Sequence, residues 1–257
     1  MNQRGSMNLN FSSKQFWTDG IGSLFLAALV ALTLRWALFE AYVIPSGSML
    51  PTLLKKDHIF VNKFVFGLRY PFSETFIYRT GGPKRGEVVV FKNPENPDIF
   101  FIKRVIGLPG DKVYYENGDL YINDELVEKS EPVENLKDFS WLRPEDFPGV
   151  GIYGIDTRKH LEERLGDHTY SVLLPKDQLE PEAGPYTVPE GHYFMMGDNR
   201  QLSHDSRKWD PDKRYVPYEY LLGRAMFVWL SCEEVLPVVP ICNPLTLRFN
   251  RFFHSIH

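Results

Sequence analysis

KVYYENGDLYIN, residues 112–123, decides the fold: two aromatic-rich runs flank Asn117-Gly118, a pair that supplies the positive φ angles of a tight hairpin turn. Working outward, HIFVNKFVFGL from His58, EVVVF from Glu87, DIFFIKRVIG from Asp98, HYFMMG from His192 and RAMFVWL from Arg224 are short apolar or aromatic runs punctuated by Gly and Pro. A β-rich body is expected.

The chain has 257 residues, 24% charged and 43% hydrophobic, which is the composition of a folded protein rather than a disordered one. Its formal charge of −4 offers no basic surface to nucleic acid, so no nucleic-acid partner is expected. A mean hydropathy of −0.27 excludes several membrane spans but leaves room for one. Cys232 and Cys242 are too few for a disulfide scaffold and lack the spacing of a zinc site, so neither a metal nor a cofactor is expected.

That one span falls early. Gly20 to Leu34 runs fifteen residues without a charge, and apolar character resumes in Trp36-Ala-Leu-Phe39 after Arg35. Fifteen helical residues rise about 22 Å against a hydrocarbon core of about 30 Å, so Arg35 would snorkel while Trp17 and Trp36 lie near the interfaces. A cleavable secretory signal and a buried helix of a soluble core compete with this anchor. The first lacks a small-x-small cleavage site before Pro45. Arg4 and Lys14 favour a cytoplasmic tail over residues 1–19, with a transmembrane helix and the approach to the site over 20–44. The body would then lie outside the cytoplasm, where Cys232 and Cys242 can pair or remain free thiols.

Between Glu125 and Pro185 there are 14 acidic and 7 basic residues, so this stretch carries −7 and the rest of the chain +3. It reads as an inserted subdomain over 125–185, dividing a body made of 45–124 and 186–257. Its acidity keeps it from an anionic lipid surface, and a solvated face without a role is the plain alternative. At the C-terminus, LTLRFNRFFHSIH aligns Leu245, Leu247 and Phe249 on one face of an extended chain, as a closing strand would.

Three segments carry chemistry. In Pro45-Ser46-Gly47-Ser48-Met49-Leu50-Pro51-Thr52, two prolines fix the backbone and would hold the Ser48 hydroxyl on a rigid turn. The Ser48 amide and the Ser46 hydroxyl are the nearest donors for a developing oxyanion. In Asp98 to Asp111, Lys103 shares a strand face with Ile99, Phe101 and Val105, and Arg104 shares the other with Phe100, Ile102 and Ile106. Desolvation on such a face favours a neutral lysine and makes Lys103 a candidate general base, with a snorkelling strand-end lysine as the alternative. In Gly197 to Arg207, Asp205 and Arg207 can pair to lock the loop that presents Ser203.

Together, in this order and behind an N-terminal span, these segments resemble the bacterial type I signal peptidases, membrane-anchored serine-lysine proteases that remove signal peptides from exported proteins. The likeness covers Glu40 to Thr52, the strand through Lys103 to Asp111, and Gly197 to Leu230. It implies a largely antiparallel β body with a smaller inserted β domain. It assigns Ser48 as nucleophile, Lys103 as general base, Ser46 with the Ser48 amide as oxyanion hole, and Ser203 as the hydroxyl orienting Lys103. Asp205 and Arg207 would support the site, and Tyr42, Ile44, Met49, Phe101 and Ile102 would bind substrate. The implied partners are preproteins carrying signal peptides and membrane lipid, for a monomer crossing the bacterial cytoplasmic membrane once, its body outside. Cleavage after Ala-x-Ala is expected. Gln201-Leu202 and Phe101 depart from the family's commoner residues without touching the proton transfers.

A Ser-His-Asp triad through His204 and Asp205 is the first competitor, weakened because neighbours on an extended chain point to opposite sides. A self-cleaving repressor would need a DNA-binding domain where this chain has its apolar segment. An envelope binding module anchored by one helix would not depend on Ser48.

Overall fold

The apolar run after Asp98 forms strand Phe100–Gly107 and is paired along both edges in the computed structural model, which describes residues 21–70, 73, 75–132, 140–147, 154–177, 181–236 and 242–256. Its two faces enter different cores. Val105, with half-buried Phe101, packs with Val89, Phe91, Met195 and Trp209, whereas Ile102 belongs with Ile44, Met49, Val88 and Val90. Burial of both faces explains why the run reads as continuous apolar sequence instead of alternation.

Around this strand runs an eight-stranded sheet in the order Phe39–Val43, Asp57–Asn62, Leu221–Ser231, Val88–Lys92, Phe100–Gly107, His192–Met196 and Val216–Pro217, with His254–Ser255 also pairing Leu221–Ser231. All of these pairings are antiparallel. The fold is therefore mainly β and antiparallel. The expected hairpin forms between Lys112–Glu116 and Asp119–Ile122, with Asn117 and Gly118 at φ 52° and 89°. Ala183–Thr187 and Glu125–Leu126 extend it to a four-stranded sheet.

The acidic stretch contributes a three-stranded sheet of Glu128–Ser130, Arg158–Leu165 and His168–Pro175. It is more than a solvated face. Leu161, Tyr170 and Val172 share a core with Ile106, Phe194 and Met196, and Glu163 is fully buried, accepting from the Tyr170 hydroxyl at 2.9 Å and from Arg200 Nη1 at 2.6 Å.

One expectation is corrected. The C-terminal segment is not an extended strand: it turns as two 3-10 helices, Pro244–Thr246 and Phe249–Arg251, and only His254–Ser255 pairs. Asn243-Pro244 is the cause, because the Asn243 side chain accepts from the Leu245 N–H and the proline fixes the first turn. Leu245 and Phe249 consequently stay exposed. The early apolar run does form a helix, Ile21–Ala37, but its 17 residues reach about 26 Å. Among the described residues no helix is long and apolar enough to cross a membrane. The tail expected over residues 1–19 lies outside the described residues. Cys232 and Cys242, left open by the sequence, are joined in a disulfide.

Candidate active site

Pro45 to Pro51 forms a turn held from below and from the side. Met49, Leu50, Leu53 and Leu54 are fully buried and anchor it in the core. From the side, the Asn199 N–H donates to the Ser48 carbonyl at 3.1 Å and Asn199 Nδ2 to the Gly47 carbonyl at 2.9 Å. The Thr52 hydroxyl donates to Asp198 Oδ2 at 2.6 Å. These contacts fix where Ser48 Oγ points.

Strand Phe100–Gly107 brings Lys103 to that hydroxyl. Lys103 Nζ lies 2.6 Å from Ser48 Oγ and donates to the Ile102 carbonyl at 3.0 Å, and the residue is only 4% exposed. Burial pushes its ammonium down from the ordinary lysine value to about 8; Asp205 and Asp198 oppose the shift and the Arg207 guanidinium adds to it. An amine so placed is mostly protonated near physiological pH but keeps a neutral fraction far above that of an exposed lysine. The exposed Ser46 hydroxyl is 3.4 Å from Ser48 Oγ, on the open side of the turn.

The Gly197 to Arg207 loop closes the site from behind. Asp205 accepts from Arg207 Nε at 3.0 Å, from Arg207 Nη2 at 2.9 Å and from the Gly197 N–H at 3.0 Å. Burial alone would raise the Asp205 carboxyl, but the Arg207 charge and these hydrogen bonds outweigh it and hold it at about 2. Asp205 and Arg207 therefore pair as the sequence suggested. Ser203 is buried but does not make the expected bond to Lys103; its Oγ rests against Gly197 and, without a hydrogen bond of normal geometry, still lies near enough to the Asp205 carboxylate to help keep it ionised. His204 turns away to Glu95 Oε2 at 2.7 Å while Asp205 is committed to Arg207, so these two residues do not form a Ser-His-Asp triad with Ser48.

Beside Ser48 is a cleft of about 550 Å³, lined in part by Ser46, Ser48, Phe100, Phe101, Ile102 and Lys103. Phe101 and Ile102 are where a substrate wall was expected. Tyr42, Ile44 and Met49 are not part of the lining: Ile44 and Met49 are 2% and 0% exposed in the core that also holds Ile102, and Tyr42 packs edge-on against Phe100. Alternation explains the difference, since Ile44 points from its backbone into the sheet's core rather than across the cleft.

Sequence reasoning missed the element that ties these pieces together. Arg104 is fully buried, donating from Nε and Nη2 to Asp198 Oδ1 and Oδ2 at 2.8 and 2.7 Å, and from Nη1 to the Gly86 carbonyl at 2.6 Å. Asp198 thus bridges the strand carrying Lys103 to Thr52 on the Ser48 turn. The signal was present: an arginine inside an apolar strand face requires a buried carboxylate, and Asp198 is the acid in the Gly-Asp-Asn-Arg turn. Arg104→Met should leave Asp198 as an unpaired buried charge and cost about 3–5 kcal/mol in urea unfolding. A loss below about 1 kcal/mol would show that the pair is not structural.

A buried amine 2.6 Å from a serine hydroxyl fixed on a rigid turn, beside a cleft, is the equipment of a serine peptidase with a lysine base. The family model described as "Signal peptidase, peptidase S26" matches residues 17–230. Signal peptidase I of Pseudomonas aeruginosa is 40% identical over 82% of this chain and 72% of that protein. Signal peptidase I of Rickettsia felis is 31% identical over 97% of this chain and 96% of that protein. A solved signal peptidase I from Enterococcus faecalis V583 is 26% identical over 56% of this chain and 97% of that one, with a TM-score of 0.32. The chain belongs to the S26 family of signal peptidases.

Proposed function

We propose that this protein is an endopeptidase that removes signal peptides from exported preproteins at a membrane surface, cleaving after Ala-x-Ala-like sites with Ser48 as nucleophile and Lys103 as general base. The 2.6 Å contact between Lys103 Nζ and Ser48 Oγ, in a setting that lowers the lysine to about 8, carries this reading. Neutral Lys103 takes the Ser48 proton as Oγ attacks the scissile carbonyl carbon. The oxyanion is met by the Ser48 N–H and the Ser46 hydroxyl. The Lys103 ammonium then protonates the leaving amine as the peptide bond breaks, leaving the signal peptide esterified to Ser48. A water, deprotonated by Lys103, attacks that ester and releases it. Ser203, a buried hydroxyl beside the Asp205 carboxylate, is assigned to receive the ammonium between these steps, so it orients the base. Asp205 and Arg207 hold its loop.

Specificity is assigned to the cleft, where Phe101 and Ile102 leave space for small apolar side chains. Helix Ile21–Ala37 is proposed as the membrane-seated segment: Leu24, Phe25, Leu26, Leu29, Val30 and Leu32 are all exposed on it, more apolar surface than water tolerates. In this reading the chain crosses the bacterial cytoplasmic membrane once from a cytoplasmic tail, as a monomer. Its body of 45–124 and 186–257, with the subdomain 125–185, stands outside, where the Cys232–Cys242 disulfide would persist.

Purified protein in detergent, incubated with an Ala-x-Ala preprotein, should release the signal peptide at a rate that rises with pH through about 8, because the active amine is the deprotonated one. A rate flat from about pH 6 to 9 would exclude Lys103 as the base.

A further inference from the structure

The cleft beside Ser48 has two chemically different ends. Ile99, Phe100, Phe101 and Ile102 make one apolar; Lys55 and Asp146 belong to the other and also line an adjoining charged pocket of about 430 Å³. The other cations of that pocket are engaged within the chain. Lys56 Nζ donates to the Glu233 carbonyl, Arg143 pairs with the Glu233 carboxylate at 2.5 Å, and Arg248 Nη1 donates to the Lys55 carbonyl at 3.1 Å. Asp146 is also occupied, accepting from the Arg143 N–H at 2.9 Å. Lys55 is half-buried in the cleft wall, and among the described residues its Nζ has neither a carboxylate nor a hydrogen-bond acceptor.

We propose that Lys55 is a specificity-determining residue that binds an acidic side chain of the preprotein just after the scissile bond. This rests on the peptidase reading above. The apolar end suits the small apolar residues before the bond, so the segment after it leaves by the polar end. That end begins beside the nucleophile, since a Cβ placed on Gly47 would sit 3.4 Å from the Asp146 carbonyl oxygen. An extended chain advancing about 3.3 Å per residue brings its first few side chains past Lys55. A cation already partly stripped of water and lacking an internal counter-charge gains most from an acid delivered by substrate.

The experiment uses the full chain in detergent with one Ala-x-Ala preprotein carrying Glu, Gln or Lys at each of the first three positions after the bond. The readout is the ratio of kcat/KM values within each enzyme, so a general loss of activity in a variant does not confuse it. The unmodified protein should prefer Glu over Lys at one position by about fivefold, mostly in KM, and added salt should shrink the preference. Lys55→Gln should flatten the ratio, Lys55→Glu should invert it, and Lys55→Arg should retain it. Cleavage of the Gln preprotein without a charge preference, or a preference surviving in Lys55→Gln, would overturn the role of Lys55 alone. Failure to cleave any of these preproteins would overturn both this role and the peptidase reading.

Discussion

Lys103→Met is expected to abolish cleavage and, in the same protein, to make the fold more stable below pH 8. The first effect follows from the chemistry. Without the amine nothing within reach of Ser48 Oγ can take its proton, and losing one member of a two-residue unit costs as much as losing both, about 10⁴-fold or more in kcat. Ser48→Ala should therefore be equally inactive, and the double variant no worse. Lys103→Arg should also be inactive, because a guanidinium keeps its proton at any working pH. The second effect follows from burial. Lys103 titrates at about 8 in the folded protein, below the value of an exposed lysine, so between the two the unfolded chain binds more protons and stability rises with pH. Below pH 8 both states are protonated and the folded one carries the whole penalty of a desolvated ammonium, about 3 kcal/mol. Methionine has similar length and no charge, so the penalty disappears. Urea melts should put Lys103→Met above the unmodified protein at pH 6, with the gap closing toward pH 10. An inactive variant that is also less stable at pH 6 would mean that Lys103 is held by pairing rather than strained by burial.

Much of this was legible before the fold. Asn117-Gly118 announced its hairpin because a turn with two positive φ angles has few alternatives, and the run through Lys103 announced a strand because both of its faces are buried. Ser48 and Lys103 were readable as candidates because each is anomalous locally, a serine between prolines and a lysine on an apolar face. Their meeting was implied by the family resemblance alone, since physically it depends on register: Lys103 lies opposite Val89, and that pairing puts its amine at the Ser48 turn. Met49 and Ile44 lie in the core and not in the cleft lining for a related reason. Apolar residues beside a nucleophile read alike whether they face a substrate or the core, and only the alternation of the folded chain separates them. The acidic stretch misled through its average charge. Most of its carboxylates are ordinary, but Glu163 is buried against Arg200, next in sequence to Asn199, which holds the Ser48 carbonyl. A net charge over 125–185 cannot register that one partnership.

Gly197→Ala should nearly abolish activity, although residue 197 takes no part in any proton transfer. The reason is space. A Cβ at this position would lie 2.3 Å from Ser203 Oγ, 2.7 Å from Ser203 Cβ and 2.4 Å from the Ser48 carbonyl oxygen. The serine side chain could rotate away; the carbonyl could not, because the Asn199 N–H already holds it at 3.1 Å and the turn beneath is locked by buried leucines. Nor can residue 197 retreat, with its own N–H bound to Asp205 Oδ2 at 3.0 Å. The strain must then be relieved by moving the Ser48 turn away from Lys103, and displacing a nucleophile by about 1 Å costs on the order of 100-fold or more in kcat. The overpacking itself should cost about 1–3 kcal/mol of stability. A second change separates the two effects. Adding Ser203→Gly to Gly197→Ala removes both contacts to the Ser203 side chain and leaves the contact to the Ser48 backbone. The pair should regain part of the lost stability and almost none of the activity, as read from urea midpoints beside kcat. Joint recovery of both would locate the clash at Ser203 alone, and a fully active Gly197→Ala would mean that the Ser48 turn and the Gly197 loop do not touch in the working enzyme.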